Sequence, residues 1–355
     1  MGTAILLAMI KVLVLMVIFL TATAWNTLYE RRVAAKVQQR VGPNRAGPMG
    51  LLQPISDAVK LFFKEDIVTD KAERFMYWLA PIISICTALL FMAAIPFGPE
   101  IPGLADKVPP AWAKFSIIDL NVAVLFVLAV SSVAVYSVLL GGWAGNSKYS
   151  LLGGMRSGAQ MISYEIAMGL SIMPVIMSAG SLSLHDIVVA QADTWNIFRL
   201  PWGIVGFFLF MIAIMAEANR APFDLVEAEQ ELVGGYHTEY SSMKFGGFFV
   251  AEYGNLITIS ALIVTFYLGG WQGLPFVDLP LPAWLGPWLG LFLFAVKTMI
   301  LVAVIVWIRW TFPRPRYDQM MALGWKVLFP VALGNLFVAG VLISVGQHYG
   351  IGYFG

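Results

Sequence analysis

The stretch GFFVAEYGNLITISALIVTFYLG, residues 247–269, contains a single charged residue, Glu252. A helix crosses a hydrocarbon core of about 30 Å with roughly 20 consecutive apolar residues, so this stretch is long enough to span a membrane. Because its apolar residues are continuous and do not alternate with polar ones, it predicts a helix and not a barrel strand. Eight such stretches occur, at about 4–28, 75–97, 118–140, 158–180, 202–219, 247–269, 288–310 and 327–347.

The composition also predicts a membrane protein. Of the 355 residues, 59% are hydrophobic and 12% are charged, whereas soluble domains carry about 25% charged residues. We therefore expect an all-α polytopic membrane protein in which residues 1–355 form a single membrane domain. The net charge of +1 argues against nucleic acid as a partner. A single cysteine, Cys86, and three scattered histidines offer no disulfide and no metal-ligand spacing.

The distribution of Lys and Arg predicts the orientation. The loops that follow the first, third, fifth and seventh stretches carry 17 of these residues, and the opposite loops carry three. By the positive-inside rule, the basic loops face the cytoplasm or a matrix, and both termini face the external side. A bacterial cytoplasmic (inner) membrane is the expected location, with an organellar inner membrane as the alternative.

The first basic loop contains a predicted amphipathic helix at about 51–63, after the turn-forming segment VGPNRAGPMG at 41–50. Its apolar residues recur at helical spacing, and they are Leu51, Leu52, Ile55, Val59, Phe62 and Phe63. The helix is too short and too polar to span a bilayer. It either rests on lipid at the membrane surface or forms a lintel over a cavity that admits an amphiphilic ligand.

An acidic inner loop follows the fifth stretch, at about 217–245. Its carboxylates are Glu217, Asp224, Glu227, Glu229, Glu231 and Glu239. Pro222 and the pair Gly234-Gly235 predict the ends of a short helix. On that helix Asp224, Glu227 and Glu231 share one face, while Glu229 points elsewhere. The loop is either a solvated acidic segment or, if that face packs inward, a coupled cluster that takes up and releases protons.

Carboxylates also occur near the inner ends of three apolar stretches, at Glu30, Glu165 and Glu252. A carboxylate near the bilayer centre costs at least ~2.5–3.5 kcal/mol on insertion scales, so such residues usually mark a proton or ion path. Lys297 is expected to snorkel or to find a partner, and Lys11 and Asp119 lie near span ends. These last three residues are not assigned to the site.

Several long runs carry a resemblance to a known family. They are ERR (30–32), QRVGPN (39–44), GLLQP (50–54), DAVKL (57–61), GGWAGNSKYSLLGGMRSGAQMISYE (141–165), AEANRAPFDLVEAEQELVGGYHTEYSSMKF (216–245) and WIRWTFPRPRYDQMM (307–321). Together they closely resemble the H-subunit family of respiratory complex I, the proton-pumping NADH:quinone oxidoreductase, whose mitochondrial counterpart is NADH dehydrogenase subunit 1. The resemblance covers essentially the whole chain.

The resemblance implies roles for individual residues. The residues expected to line or guard a quinone chamber are Arg31, Arg40, Asp57, Lys60, Arg309 and Arg314. The carboxylates expected to couple quinone reduction to proton translocation are Glu30, Glu165, Glu217, Asp224, Glu227, Glu229, Glu231 and Glu252. Arg156 and Arg220 are expected to be their electrostatic partners. No catalytic residue and no metal site is expected in this chain.

The resemblance also implies the surroundings of the chain. Quinone, either ubiquinone or menaquinone, is the expected substrate, and FMN and iron–sulfur clusters are expected in partner subunits. The expected partners are the peripheral quinone-site and iron–sulfur subunits, the small membrane subunits and the antiporter-like subunits. Two alternatives stay open from the sequence: the equivalent subunit of a hydrogenase- or ferredoxin-linked proton-pumping complex, and a secondary transporter.

Overall fold

A computed structural model describes residues 2–100, 115–224, 234–275 and 285–349. The main helices of these ranges are α1 (Gly2–Val37), α3 (Arg74–Ala94), α4 (Ala123–Ala144), α5 (Lys148–Ala179), α7 (Trp202–Glu217), α8 (Ser242–Tyr267), α9 (Gly286–Thr311) and α11 (Phe329–Tyr349). The shorter helices are α2 (Gln53–Phe63), α6 (Leu184–Val189) and α10 (Tyr317–Ala322). A π-helical stretch, Leu323–Leu328, joins α10 to α11.

The prediction of an all-α polytopic membrane protein is confirmed. Across the described ranges there is no strand, and seven helices are long and apolar enough to cross a membrane. The fifth predicted stretch is occupied by α7, an apolar helix of 16 residues. At 1.5 Å per residue, α7 is about 24 Å long. The count of eight spans and the location of the termini stay predictions.

The core of the bundle lies around α8. A larger share of α8 is buried than of any other long helix in the described part of the chain. On one side of it α3, α4, α5 and α7 pack in sequence order, each against the next. The largest fully buried side chains include Tyr164, Trp202, Phe210, Phe266 and Tyr267. These aromatic rings bury much apolar area between the helices, so α5, α7 and α8 form a rigid centre.

Glycines allow α4 and α5 to approach each other closely. A Cβ atom on Gly142 would lie 2.7 Å from the carbonyl oxygen of Ser150 and 3.0 Å from the Cα atom of Gly154. The 141–165 run contains two glycine pairs, Gly141-Gly142 in α4 and Gly153-Gly154 in α5. Small residues at such contacts are how membrane helices bring their backbones together.

One end of the bundle contains Glu30, Arg220 and Arg309, and we call it the charged side. At the other end, the opposite side, Gln191 donates hydrogen bonds to the carbonyl oxygens of Ile187 and Thr265, at 3.1 and 2.8 Å. The Lys297 ammonium group donates to the carbonyl oxygens of Leu268, Gly270 and Gln272 at 2.7–3.1 Å. Lys297 therefore stabilises the C-terminal end of α8 through backbone carbonyls, which are favourable partners for a cation.

The short helix α2 is attached to the charged side through one of its own residues and through the segment that follows it. Asp57 of α2 forms an ion pair with Arg31 of α1, with an N–O distance of 2.5 Å. After it, the Lys244 ammonium group at the start of α8 lies 2.8 Å from a carboxylate oxygen of Asp66. The same ammonium group lies over the ring of Trp78, 4.0 Å from its centroid. These contacts fix α2 between the ends of α1 and α8.

Candidate functional site

A cluster of two carboxylates and two guanidinium groups, one of each buried and the other half-buried, lies where α1, α7, α8 and α9 meet on the charged side. Arg220 Nη1 lies 3.3 Å from a Glu30 carboxylate oxygen, and Arg220 Nε lies 3.1 Å from Glu252. Arg309 donates a short hydrogen bond to the other oxygen of Glu30. We call Glu30, Arg220, Glu252 and Arg309 the charged quartet. Its formal charges balance, as expected of ions removed from water.

The fold holds Arg220 in a turn directly after α7. Gln160 of α5 donates to the carbonyl oxygens of Ala216 and Phe223, at 2.7 and 2.8 Å, and so fixes both sides of this turn. The Arg220 guanidinium also lies over the Tyr253 ring, 4.2 Å from its centroid. Burial disfavours its charge, but the Glu252 and Glu30 carboxylates more than offset this, and the pKa of Arg220 lies above its ordinary value. Arg220 is therefore a permanent cation.

Two neighbouring serines of α4 bind two further carboxylates. Ser131 donates a short hydrogen bond to Glu217 at the end of α7, and Ser132 donates one to Glu165 of α5. Because consecutive residues of a helix point in different directions, the two carboxylates occupy different sides of α4. Glu217 faces the interior of the bundle, and its second oxygen has no hydrogen-bond partner among the described residues. Glu165 lies half-buried at the surface, beside the exposed Ser132.

A polar cavity of about 50 Å³ connects Glu217 with Glu252 of the charged quartet. It lies between α3, α4, α5 and α8. Its polar lining residues are Ser84, Thr87, Ser137, Glu217, Asn219, Tyr236, Glu252 and Asn255. A single water needs about 10–15 Å³ by this measure, so the cavity has room for a few water molecules. The buried Oδ1 atom of Asn255 finds no partner among the described side chains and backbone, which makes it an acceptor for such waters.

Two more ion pairs lie close to the membrane surface on the charged side. Asp224, which is 2% exposed, accepts a hydrogen bond from Arg314 Nη2 at 3.0 Å. This contact ties the start of the acidic loop to the segment between α9 and α10. Asp57 accepts from Gln53 at 3.0 Å in addition to its ion pair with Arg31. The acidic loop and the predicted amphipathic segment thus each contribute a paired carboxylate.

Some of the predicted site residues lie apart from the charged quartet. Arg40 is exposed and donates to Gln38, and Lys60 is exposed on α2. Arg156 lies over the ring of Tyr317, 5.8 Å from its centroid, on the side where α5 meets α10. Three predicted carboxylates, together with the predicted short helix that carries them, lie outside the described residues: Glu227, Glu229 and Glu231.

The sequence analysis missed several polar residues that complete the site. Ser131 and Ser132 form a polar pair within the apolar run 118–140, and this pattern would have been a usable signal. Asn255 lies three residues after Glu252, close to one turn further along the same helix, so its position near that carboxylate was also predictable. Gln160 and Tyr253 gave no such signal, because their partners come from other helices.

Within the described ranges, no group of three or more His, Cys, Asp and Glu side chains is placed to hold a metal ion. What the structure does contain is a bundle of membrane-length helices with buried ion pairs, a polar cavity and an interfacial helix on one side. These features define a polytopic all-α membrane protein with buried ion pairs in its interior.

Comparison with known proteins identifies the family. Residues 10–340 match the NADH dehydrogenase family. One of the NADH-quinone oxidoreductase H subunits of Geobacter metallireducens is 48% identical over 343 residues, which covers 95% of each chain. An H subunit of the same enzyme from Geobacter sulfurreducens is 49% identical, with 93% of this chain and 94% of the relative covered. The H subunit from Magnetococcus marinus is 48% identical, with coverage of 95% and 91%. The chain belongs to the NADH dehydrogenase family, and its resemblance to the H subunit of complex I is confirmed.

Proposed function

We propose that this chain is the membrane subunit of a proton-translocating NADH:quinone oxidoreductase that admits quinone and couples its reduction to proton translocation. The observation that carries the proposal is the charged quartet, which lies next to α2 on one side and is connected by the polar cavity to Glu217 on the other. The names of the relatives support the enzyme class. This chain then contributes to a translocase without itself binding NADH, flavin or an iron–sulfur cluster.

The surroundings of α2 support a quinone entrance. The residues of α2 exposed on its surface include the apolar Ile55, Val59, Phe62 and Phe63, which suit contact with lipid and with an isoprenoid tail. Next to this apolar surface, Arg31 and Asp57 supply charged and hydrogen-bonding groups for a polar headgroup. Arg309 binds Glu30, the residue that precedes Arg31. We infer that α2 is the lintel of the entrance. The expected chamber residues are Arg31, Arg40, Asp57, Lys60, Arg309 and Arg314.

A row of carboxylates supports proton coupling. It runs from the buried Asp224 and from Glu30 and Glu252 of the charged quartet, through the polar cavity, to Glu217 and then Glu165. Waters in the cavity would carry protons between Glu252 and Glu217, since both carboxylates line it. Headgroup reduction changes the charge next to the charged quartet, which alters proton affinity along the row. We also assign Glu227, Glu229 and Glu231 to this row, and Arg156 and Arg220 to its electrostatic support.

The position of Glu165 supports a neighbouring membrane subunit. A carboxylate on a surface that faces lipid costs several kcal/mol. Glu165 and Ser132 lie at the outer surface of α4 and α5, so a partner helix is the favourable cover. We propose that small membrane subunits pass the coupling from here to antiporter-like subunits. Peripheral subunits that carry FMN and iron–sulfur clusters supply electrons to ubiquinone or menaquinone, in a bacterial cytoplasmic membrane.

The replacement of Glu217 by Gln tests this proposal in the assembled complex. The amide keeps the shape of the side chain but cannot release a proton. We expect NADH:quinone reduction and the coupled proton uptake by vesicles to fall together by on the order of tenfold or more, as when a proton-transfer group is lost. NADH oxidation by an artificial acceptor, which needs only the peripheral subunits, should not change. Glu73→Gln, at an exposed carboxylate on the charged side, is the matched control.

Three outcomes would contradict the proposal. Full quinone reduction and full proton translocation in Glu217→Gln would remove Glu217 from the path. Hydrogen- or ferredoxin-linked activity in the purified complex would reassign the enzyme while keeping the coupling role. A chain that purifies alone, without flavin or iron–sulfur absorbance, would favour the transporter alternative.

A further inference from the structure

A second and larger cavity lies away from the charged side, between α1, α3, α8 and α9. It is an open groove of about 490 Å³, which is within the range of roughly 300–1,000 Å³ typical of small-molecule sites. Its walls are almost entirely apolar and include Leu15 and Ile18 of α1, Met92 of α3, Ile257 of α8 and Phe294 of α9. None of these residues belongs to the charged quartet or to the polar cavity.

The length of the groove, measured along α1, is close to the thickness of one lipid leaflet. Along α1 it extends from Ile10 to Ala22, and these twelve steps of the helix rise about 18 Å. Half of a hydrocarbon core of about 30 Å is about 15 Å. Near the inner end, the buried ring of Phe19 packs so closely against Gly254 that a Cβ atom there would overlap the ring. This contact between α1 and α8 separates the groove from the charged side.

A cation lies at the other end of the groove. Lys11 is a lining residue, and its ammonium group donates to the carbonyl oxygen of Ser116 at 3.4 Å, next to Phe97 and Phe115 at the opposite side of the bundle. The hydroxyl of Thr298, also in the lining, donates to the carbonyl oxygen of Phe294. The groove thus combines a long apolar channel with a lysine, Lys11, at its mouth.

We propose that this groove binds one acyl chain of a phospholipid, from the leaflet in which α1 begins, with the phosphate group close to Lys11. The apolar walls suit contact with an acyl chain, and the length of the groove along α1 is close to the thickness of one leaflet. The ammonium group of Lys11 is complementary in charge to the phosphate. A quinone headgroup would find few hydrogen-bonding groups here. Occupancy of this groove does not depend on the quinone role proposed above.

The test uses the whole assembled complex in nanodiscs that contain phosphatidylglycerol with a diazirine in the middle of one acyl chain. After illumination, labelled peptides are mapped by mass spectrometry. We expect labels on the α1, α8 and α9 segments that line the groove. Ala295→Phe, which places a ring in the groove at an exposed position of its wall, should reduce this labelling by about fivefold or more. Val338→Phe, on the exposed surface of α11, should leave it unchanged.

The headgroup contact is tested in the same way with Lys11→Gln, which should lower labelling by about two- to fivefold. Labelling of the groove at the same level as the open surface of α11, or labelling that Ala295→Phe does not reduce, would overturn the proposal. Displacement of the phospholipid by an equimolar diazirine analogue of an isoprenoid quinone would instead assign the groove to a quinone tail. Labelling reports only whether lipid occupies the groove, and quinone reduction reports only the proposed function. The failure of one proposal is therefore distinguishable from the failure of the other.

Discussion

Arg220 connects residues that are far apart in the chain, and the stability of the charged side depends on it. It is 2% exposed and bridges Glu30 of α1 and Glu252 of α8. When one partner of a buried ion pair is removed, the remaining charge stays buried without a counter-charge. The free energy of unfolding then falls by far more than the intact pair contributes to it.

We therefore expect Arg220→Gln to destabilise the chain by roughly 3–5 kcal/mol. The measurements are the amount of assembled complex in membranes and the midpoint of its thermal inactivation. The double variant Arg220→Gln/Glu252→Gln should recover part of this loss, because Glu30 keeps Arg309 and no carboxylate is left stranded.

The control is Arg316→Gln, since Arg316 and its partner Asp318 both have more than two thirds of their side chains exposed. Exposed ion pairs contribute about 0–1 kcal/mol to the free energy of unfolding, so this variant should assemble normally. A double variant no more stable than Arg220→Gln would show that charge pairing is not what Arg220 supplies.

At the same scale, the sequence predicts the charges of the site better than their contacts. Glu30, Glu165 and Glu252 are conspicuous because carboxylates in apolar stretches are costly. The hydroxyls that bind Glu165 and Glu217 come from α4, and which serine faces which carboxylate depends on how α4 is rotated in the bundle. That rotation is set by tertiary packing, for example by the close contact of Gly142 with α5. Local sequence does not contain it.

At the scale of elements, the position of the short helix α2 depends on its polar contacts with the helices beside it. Lys244 is 5% exposed and holds the segment after α2 through Asp66. Nearby, Ser242 donates to the carbonyl oxygen of Leu61 at 3.0 Å, and Ser241 donates to that of Glu65 at 2.7 Å. These three contacts attach the end of α2 to the start of α8.

We expect Lys244→Gln to loosen α2 and to raise the KM for quinone by roughly three- to tenfold. This change corresponds to a loss of about 0.7–1.4 kcal/mol in the apparent binding free energy of quinone. The kcat at saturating quinone should change less than about twofold, since Lys244 does not reach the charged quartet. Steady-state quinone titrations of the assembled complex measure both constants.

Lys64→Gln is the matched control, because Lys64 lies on the same segment but is exposed. If Lys244→Gln lowered kcat and left KM unchanged, the attachment of α2 would not be what sets quinone access.

Helix positions illustrate what the sequence can and cannot predict about elements. Apolar runs of about 20 residues place α3, α4, α8 and α9 because hydropathy depends on composition alone. The predicted stretch 202–219, the shortest of the eight, likewise corresponds to the short helix α7. The π-helical stretch Leu323–Leu328 and the ends of α7 have no such signature. Both depend on how the backbone meets its neighbours, as where Tyr164 of α5 donates to the carbonyl oxygen of Met320.

For the whole molecule, the prediction to test is the orientation. The chain has one cysteine, so a Cys86→Ser background allows single reporter cysteines to be placed on each side. We expect Arg45→Cys to react with a membrane-impermeant maleimide in inside-out vesicles only, and Asp193→Cys in right-side-out vesicles only. Both positions are exposed, Arg45 in the first basic loop and Asp193 on the opposite side. The reverse pattern would refute the orientation inferred from the Lys and Arg distribution.

The charged quartet also has a consequence for the order in which the chain is made. Glu30 is separated by 190 residues from Arg220 and by 279 from Arg309. At about 5–20 residues per second, a ribosome needs roughly 10–40 s to reach the first arginine and longer to reach the second. A carboxylate cannot be enclosed without a counter-charge except at high cost. The newly inserted first helix must therefore keep Glu30 at the water-exposed surface at least until Arg220 leaves the ribosome. The charged quartet is complete only after Arg309, at the end of the seventh apolar stretch, has followed.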